Sequence, residues 1–241
     1  MFILPDWPDA PDNIGALATT RHGGVSKAPY HCLNLGKHVG DDVADVEQNR
    51  ALVQANLPGR PAWISQVHGV AVVDAAAVTA EGPVLVADAS YATRPGVVSA
   101  VLTADCLPVL FADLQGKVVA AAHAGWRGLA AGVLQETIKA MRAQGAGKVT
   151  AWMGPAIGPR QFEVGQEVVD AFGGGPAFVP FEGHPGKYLA DIFALARTAM
   201  AGEGVTSVWG GQYCTATLRE DFYSYRRDGV TGRQASLIWI R

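Results

Sequence analysis

Three short apolar segments, Val97–Leu102, Val109–Ala112 and Val118–His123, follow one another with only five or six residues between neighbours. Each has the length and composition of a buried strand, and no gap has room for a helix. Strands that succeed one another in this way do not fit a doubly wound parallel fold, in which a helix separates each strand from the next. Further strands read at Ile14–Thr20, Ala62–Ser65, Val70–Asp74, Val149–Met153, Val205–Trp209 and Ser236–Ile240. Helical spacing predicts helices over Asp42–Ala55, Trp126–Arg142 and Tyr188–Ala201, the last stopping at Gly202. The middle helix places Trp126, Leu129, Val133, Leu134, Ile138 and Met141 on one apolar face. The pattern predicts an α+β fold of layered, mixed sheets. No repeat or low-complexity linker divides the chain, so residues 1–241 are expected to form one domain.

The ends of two neighbouring strands carry reactive groups. Thr103-Ala-Asp-Cys106-Leu-Pro-Val109 presents a thiol, and the strand ending in His123-Ala-Gly-Trp-Arg-Gly128 presents an imidazole. A third group, His68, sits in Gln66-Val-His-Gly69 after another apolar stretch. A lone cysteine in apolar sequence is ordinarily an inert small hydrophobe, but Asp105 beside it and His123 one hairpin away point to a functional thiol. Two histidines and a cysteine can be the protein ligands of a zinc with one open position. They can equally be a Cys106–His123 nucleophile and base, with His68 a bystander. Gly125 and Gly128 let the chain turn out of its strand into a helix whose first N–H groups attract anions, with Arg127 as a fixed charge. The same glycines also suit plain strand–helix packing.

Composition excludes several classes. Apolar residues make up 49% of the chain and charged ones only 17%, enough for a substantial core and too few charges for disorder. The net charge of −3 with no basic run gives no reason to expect nucleic acid or a membrane surface as a partner. The start, Met1-Phe-Ile-Leu-Pro-Asp-Trp-Pro8, lacks the features of a signal peptide, and no apolar run is long enough to span a bilayer. Three scattered cysteines, Cys32, Cys106 and Cys214, suit a reducing compartment, so a cytoplasmic protein is expected.

Several loops offer binding groups. Thr20-Arg21-His-Gly-Gly-Val-Ser26 is a glycine-rich polar loop in which Arg21 and backbone N–H groups suit a phosphate or ribose, and it leads into Leu33-Asn34-Leu-Gly36. Phe222-Tyr-Ser-Tyr-Arg226-Arg227 interleaves aromatics with arginines, as a planar or anionic ligand would require, or else forms a solvated hairpin. Gly154-Pro-Ala-Ile-Gly158 reads as a rigid structural frame, with Glu163 after it as a proton carrier. His22, His31, His38 and His184 lie in Gly-, Pro- or charge-rich segments and read as loop residues.

Together these segments closely resemble the YfiH-like laccase-domain family, also called multicopper polyphenol oxidoreductases and purine nucleoside phosphorylases. The likeness runs nearly end to end and includes Asn49-Arg50, Cys214-Thr215, and Tyr223-Ser-Tyr-Arg-Arg-Asp-Gly229 through Thr231-Gly-Arg233. The resemblance implies a layered α/β/β/α domain, similar to cytotoxic-necrotizing-factor-type cysteine hydrolases, with metal ligands His68, Cys106 and His123. It implies phosphorolysis of adenosine, inosine and methylthioadenosine, with adenosine deamination in the same pocket and copper-dependent oxidation of phenols described for some members. Arg21, Ser26, Asn34, Arg50, Arg127 and Arg226 are the residues expected to meet nucleoside and phosphate, in a monomer or small homo-oligomer. One segment, Ala87-Asp-Ala-Ser-Tyr-Ala-Thr93, departs from the family's more apolar continuation and is expected to touch no candidate ligand.

The residues themselves weigh these implications. A multicopper oxidase needs many histidines, and this chain has six, scattered; a blue-copper centre wants an axial Met, for which Met153 is the nearest by sequence. Zinc is therefore expected over copper. Nucleobase deaminases pair zinc with a Glu proton shuttle, and as no His-x-Glu motif exists here, Asp105 or Glu163 is expected to serve. The competing readings are a metal-free Cys106/His123 hydrolase, a copper-dependent polyphenol oxidase, a non-catalytic nucleotide-binding module, and an editing hydrolase of cell-wall precursors.

Overall fold

Side-chain alternation along the central strands decides how the layers stack. In a computed structural model describing residues 1–241, β7 (Leu107–Asp113) sends Leu107, Val109 and Phe111 into one core, and Leu110 and Ala112 into another. β8 (Val119–Ala124) divides in the same way, with Ala120, Ala122 and Ala124 on one side and Val119 and Ala121 on the other. A strand apolar on both faces must be covered on both.

One cover is a second sheet. β7 and β8 are central in a six-stranded sheet with β9 (Val149–Met153) and β13 (Val208–Gly210) on one flank. On the other flank lie β5 (Ala89–Ala92) and β4 (Val72–Asp74). Facing it is a five-stranded sheet of β1 (Phe2–Ile3), β2 (Ile14–Thr19), β14 (Gln234–Ile240), β6 (Val98–Thr103) and β3 (Pro61–Ala62), in that order. Both sheets contain parallel and antiparallel neighbours. The layer between them is rich in alanine, which permits close approach, and Trp7 and Trp152 fill what remains. Trp7 satisfies its buried indole by donating to Thr150 Oγ1 at 2.9 Å.

The outer covers are helical. α1 (Val43–Gln54), capped by the Asp42 carboxylate at Ala44 N, lays Val53 on the five-stranded sheet with Leu33, Leu35 and Leu237. α2 (Trp126–Ala131), α3 (Val133–Ala143) and α5 (Ile192–Gly202) cover the six-stranded sheet. A small sheet of β10 (Glu163–Gly165), β12 (Lys187–Ala190) and β11 (Phe178–Pro180) adjoins them, with α4 (Gln166–Ala171) after β10; α6 (Tyr225–Asp228) precedes β14. The α/β/β/α order implied by the resemblance is present.

Two helix boundaries differ from expectation. The stretch 126–142 is broken at Gly132, whose φ of 101° ends α2 and starts α3. Residues 188–190 pair as β12, and α5 begins after Asp191, whose carboxylate accepts from Ala194 N at 3.0 Å. Tyr188 and Leu189 fit a strand and a helix equally well by pattern, and the Asp191 cap decides between them.

Candidate metal and substrate site

β6 and β7 belong to different sheets, so the short link between them crosses the sandwich, and Cys106 stands at the crossing. β8 runs beside β7 in a register that sets His123 opposite Pro108. On the alternation of β8, His123 falls with Val119 and Ala121, toward the layer between the sheets. His68 comes from the turn after Ser65, which itself bridges to Val86. His68, Cys106 and His123 thereby bring one N, one S and one N donor within 4.8 Å of one another. Cys106 Sγ lies 3.7 Å from His68 Nε2, and the two imidazoles meet edge-on with centroids 4.8 Å apart. His68 is exposed, Cys106 half-buried and His123 buried, so the cluster opens outward on the His68 side.

The backbone is strained on both sides of the cluster. His68 (φ 61°) and Asp105 (φ 90°) are the two non-glycine residues with positive φ in the chain. Such conformations persist where surrounding bonds enforce them, as at binding and catalytic sites. Asp105 is held by both oxygens: Oδ1 accepts from Thr215 Oγ1 and Oδ2 from Arg226 N, each at 2.6 Å.

His68 and His123 share a partner the sequence reading missed. Asp88, wholly buried at the start of β5, accepts from His123 Nδ1 at 2.8 Å and from His68 N at 2.9 Å through Oδ1. Its Oδ2 accepts from Gly69 N at 2.7 Å and Val67 N at 3.2 Å. The expectation that segment 87–93 touches no candidate ligand is thus corrected: Asp88 touches two. A buried carboxylate needs such donors, so an acid among strand alanines was the available signal. Burial pushes the Asp88 carboxyl up, but His123 and the turn's N–H groups outweigh it and hold the group below its ordinary range.

The thiol and imidazole polarise one another. Burial raises the Cys106 thiol, yet the charge and hydrogen bonds of His123 and His68 bring it down to about 6. Burial likewise lowers His123, while Cys106 and Asp88 raise it to about 9. The two shifts run in the directions that favour a thiolate facing an imidazolium in the bare site. Gly125 matters here for space rather than for turning, since its φ of −63° suits any residue. A Cβ there would stand 2.7 Å from His68 Cδ2 and 2.9 Å from Cys106 Sγ.

A cavity of about 270 Å³ opens beside His68 and Cys106. Trp126, Phe162 and Tyr225 supply aromatic walls, Ile157 and Ile192 apolar ones, and Arg127 and Arg226 the positive charge. Arg127 stacks on Trp126 at 4.3 Å and Arg226 lies over Phe162 at 5.8 Å, so both cations are aligned on rings. Trp126, expected on the core face of its helix, packs against that core and is also a cavity wall.

The other predicted residues lie elsewhere. Glu163 faces Lys187 at 3.8 Å and does not line this cavity. Arg21 donates to the carbonyls of His31 and Arg219 and lines a separate 750 Å³ hollow with His22, Cys32 and Arg227. Ser26 and Asn34 are buried and bonded to Asp41. Arg50 stacks on Trp63 in a cationic cavity of about 360 Å³ with Lys37, His38 and Arg60, and burial lowers its guanidinium to about 10. Met153 packs in the helix-side core. No helix of the chain is long and apolar enough to cross a membrane.

Comparison with known proteins places these features in company. A family model described as multi-copper polyphenol oxidoreductase laccase matches residues 15–241. A purine nucleoside phosphorylase of Pseudomonas aeruginosa is 52% identical over 245 residues, covering 100% of this chain and 98% of that protein. The purine nucleoside phosphorylase YfiH of Escherichia coli is also 52% identical, over 99% of this chain and 98% of its own. Among solved structures, a Neisseria meningitidis protein superposes with a TM-score of 0.93 at 50% identity, covering 99% of this chain and 98% of that one. YlmD from Geobacillus stearothermophilus gives 0.86 at 33% identity, over 95% and 93%.

Proposed function

This chain belongs to the laccase-domain family, and we propose that it is a purine nucleoside phosphorylase. Its substrates in this reading are adenosine, inosine and methylthioadenosine, cleaved by phosphate to the free base and (methylthio)ribose 1-phosphate. Adenosine deamination is a second activity of the same centre, and one domain, residues 1–241, carries both. The observation that carries the reading is the shared cavity, in which an N/S/N donor cluster, three aromatic walls and two arginines converge. The names of relatives 52% identical along the whole chain support it.

His68, Cys106 and His123 fit zinc by donor type and proximity, and the carboxylate behind His123 is the partner that metal-bound histidines usually have. A zinc held by His68, Cys106 and His123 would supply Lewis acidity and would lower the pKa of a water molecule for the deamination. The absence of any other cluster of three such donors favours zinc over a multicopper arrangement. Trp126, Phe162 and Tyr225 hold the base by stacking. Arg127 and Arg226 hold phosphate near the sugar, so that a phosphate oxygen forms the new bond to C1′ as the glycosidic bond breaks toward the base. Asp105, held at the cavity wall by Thr215 and Arg226, is the proton shuttle of the deamination in this reading, since Glu163 lies outside the cavity.

A second reading has one observation in its favour. The thiolate–imidazolium pair is also what a metal-free cysteine hydrolase needs, but that scheme gives His68 no task. The experiment is product analysis with adenosine, with and without phosphate, on protein of measured metal content. Adenine and ribose 1-phosphate formed only with phosphate are expected, with about one zinc per chain. Turnover of no purine nucleoside, or full activity without metal, overturns the proposal.

A further inference from the structure

Two carboxylates are wholly buried, Asp88 and Asp113, and their surroundings differ. Asp113 accepts from backbone N–H groups of Lys117 and Gly147 and serves as a turn brace. Asp88 accepts four hydrogen bonds, one from an imidazole and three from the turn Val67-His68-Gly69, and both histidines it reaches belong to the N/S/N cluster. The Cys106 and His123 ends come from adjacent strands and are placed by sheet register. His68 lies in a turn outside any strand; Ser65 and Gln66 anchor its approach at Val86 and Leu102, and Asp88 holds the turn itself. That turn is held beside the cluster at a positive φ, with three successive N–H groups converging on one carboxylate.

We propose that Asp88 is the positioning residue of the metal centre, one carboxylate that fixes both histidine ligands relative to each other. The inference rests on the metal reading above and adds a residue to it. On the His123 side, Nδ1 donates to Asp88, which leaves Nε2 as the nitrogen aimed toward Cys106. A carboxylate behind a ligating imidazole sets its tautomer and raises its basicity. On the His68 side, the same group holds the turn that carries the second ligand, so the spacing of the donors exists before any metal arrives. A mere brace of the Asp113 kind would hold the turn and leave the His123 tautomer to chance.

The test uses full-length protein and zinc alone. Long-range ¹H–¹⁵N spectra of the zinc-loaded wild type are expected to show His123 protonated at Nδ1 and bare at Nε2, with the Nδ1 proton shifted downfield by its bond to Asp88. In Asp88→Asn that proton moves upfield. Zinc affinity, measured against a competing chelator, falls roughly 10- to 100-fold, the usual cost of losing an outer-shell partner. A His123 protonated at Nε2, or an Asp88→Asn protein that folds and binds zinc as the wild type does, overturns the proposal. If Asp88→Asn does not fold, the wild-type tautomer decides alone. Wild type that binds no zinc sinks both this inference and the metal reading, whereas tight wild-type binding with an unchanged variant sinks this one only.

Discussion

The cavity beside Cys106 and the loop region around Arg21, Ser26 and Asn34 both read, as sequence, as places where a ligand could bind. In three dimensions they behave in opposite ways. Asn49, wholly buried in α1, donates to Ser26 Oγ, Cys32 O and Asn34 O, and accepts from Val25 N. Ser26 and Asn34 in turn donate to Asp41, and Asn34 accepts from Gly36 N and Arg233 N. The polar groups of Ser26, Asn34 and Asn49 thus find their partners within the chain. Beside Cys106 the bonds point the other way. Asp88 is saturated from behind, while the donors of His68 and Cys106, the Asp105 carboxylate and the cations of Arg127 and Arg226 line a space. Polar residues mark a ligand site only where the fold leaves them free to face one.

The sharpest way to break this contrast is Cys106→Ala. Removing a ligand should cost more zinc affinity than the roughly 10- to 100-fold lost with an outer-shell partner, and phosphorolysis should vanish with the metal. Metal content after dialysis and turnover of inosine report both. Persisting activity without bound metal would dissolve the distinction between the regions.

A paired substitution tests the same contrast at intermediate size. A hydrogen bond to a charged group contributes about 1.5–3 kcal/mol, so Arg127→Ala should raise KM for phosphate roughly 10- to 100-fold with little change in melting temperature. Asn49→Ala should do the reverse. Orphaning its buried partners costs about 3 kcal/mol, or roughly 6–12 °C in Tm for a chain of this length, with the KM of the folded fraction intact. Phosphate saturation curves and thermal melts measured together separate the two. An Asn49→Ala protein that melts normally but loses phosphate affinity would reassign the loop region to binding.

The sequence made the sandwich legible because β6, β7 and β8 are predominantly apolar, and their spacing admits no helix. Cys106 and His123 were legible for a related reason, as reactive groups at the ends of otherwise inert strands. Asp88 was overlooked because its role is visible only when a turn twenty residues earlier and a strand thirty-five residues later converge on it. Ser26 and Asn34 read as binding groups because local sequence does not reveal that Asn49 and Asp41 already occupy them, and Arg21 because it does not reveal the carbonyls of His31 and Arg219. Tyr225 entered the reading only as part of a longer stretch, since an aromatic becomes a cavity wall only through the packing of distant segments.

The smallest effect concerns the thiol of the metal-free protein. With Cys106 brought down to about 6, its thiolate is present above that pH and is lost as pH falls through it. At pH 7 this gives about 30-fold more thiolate than an ordinary cysteine of pKa about 8.5. A less basic thiolate is also a weaker nucleophile, by about 10-fold over that interval. The net gain in alkylation rate at pH 7 is therefore only about threefold, too little to be diagnostic by itself. The midpoint of the rate's pH profile is the informative quantity. It should lie near 6 in chelator-treated protein, rise when Asp88→Asn weakens the imidazolium facing the sulfur, and disappear when zinc occupies the thiolate. A midpoint in the ordinary range would mean that His123 does not charge beside Cys106. The site would then be electrostatically as quiet as the loop around Asn49.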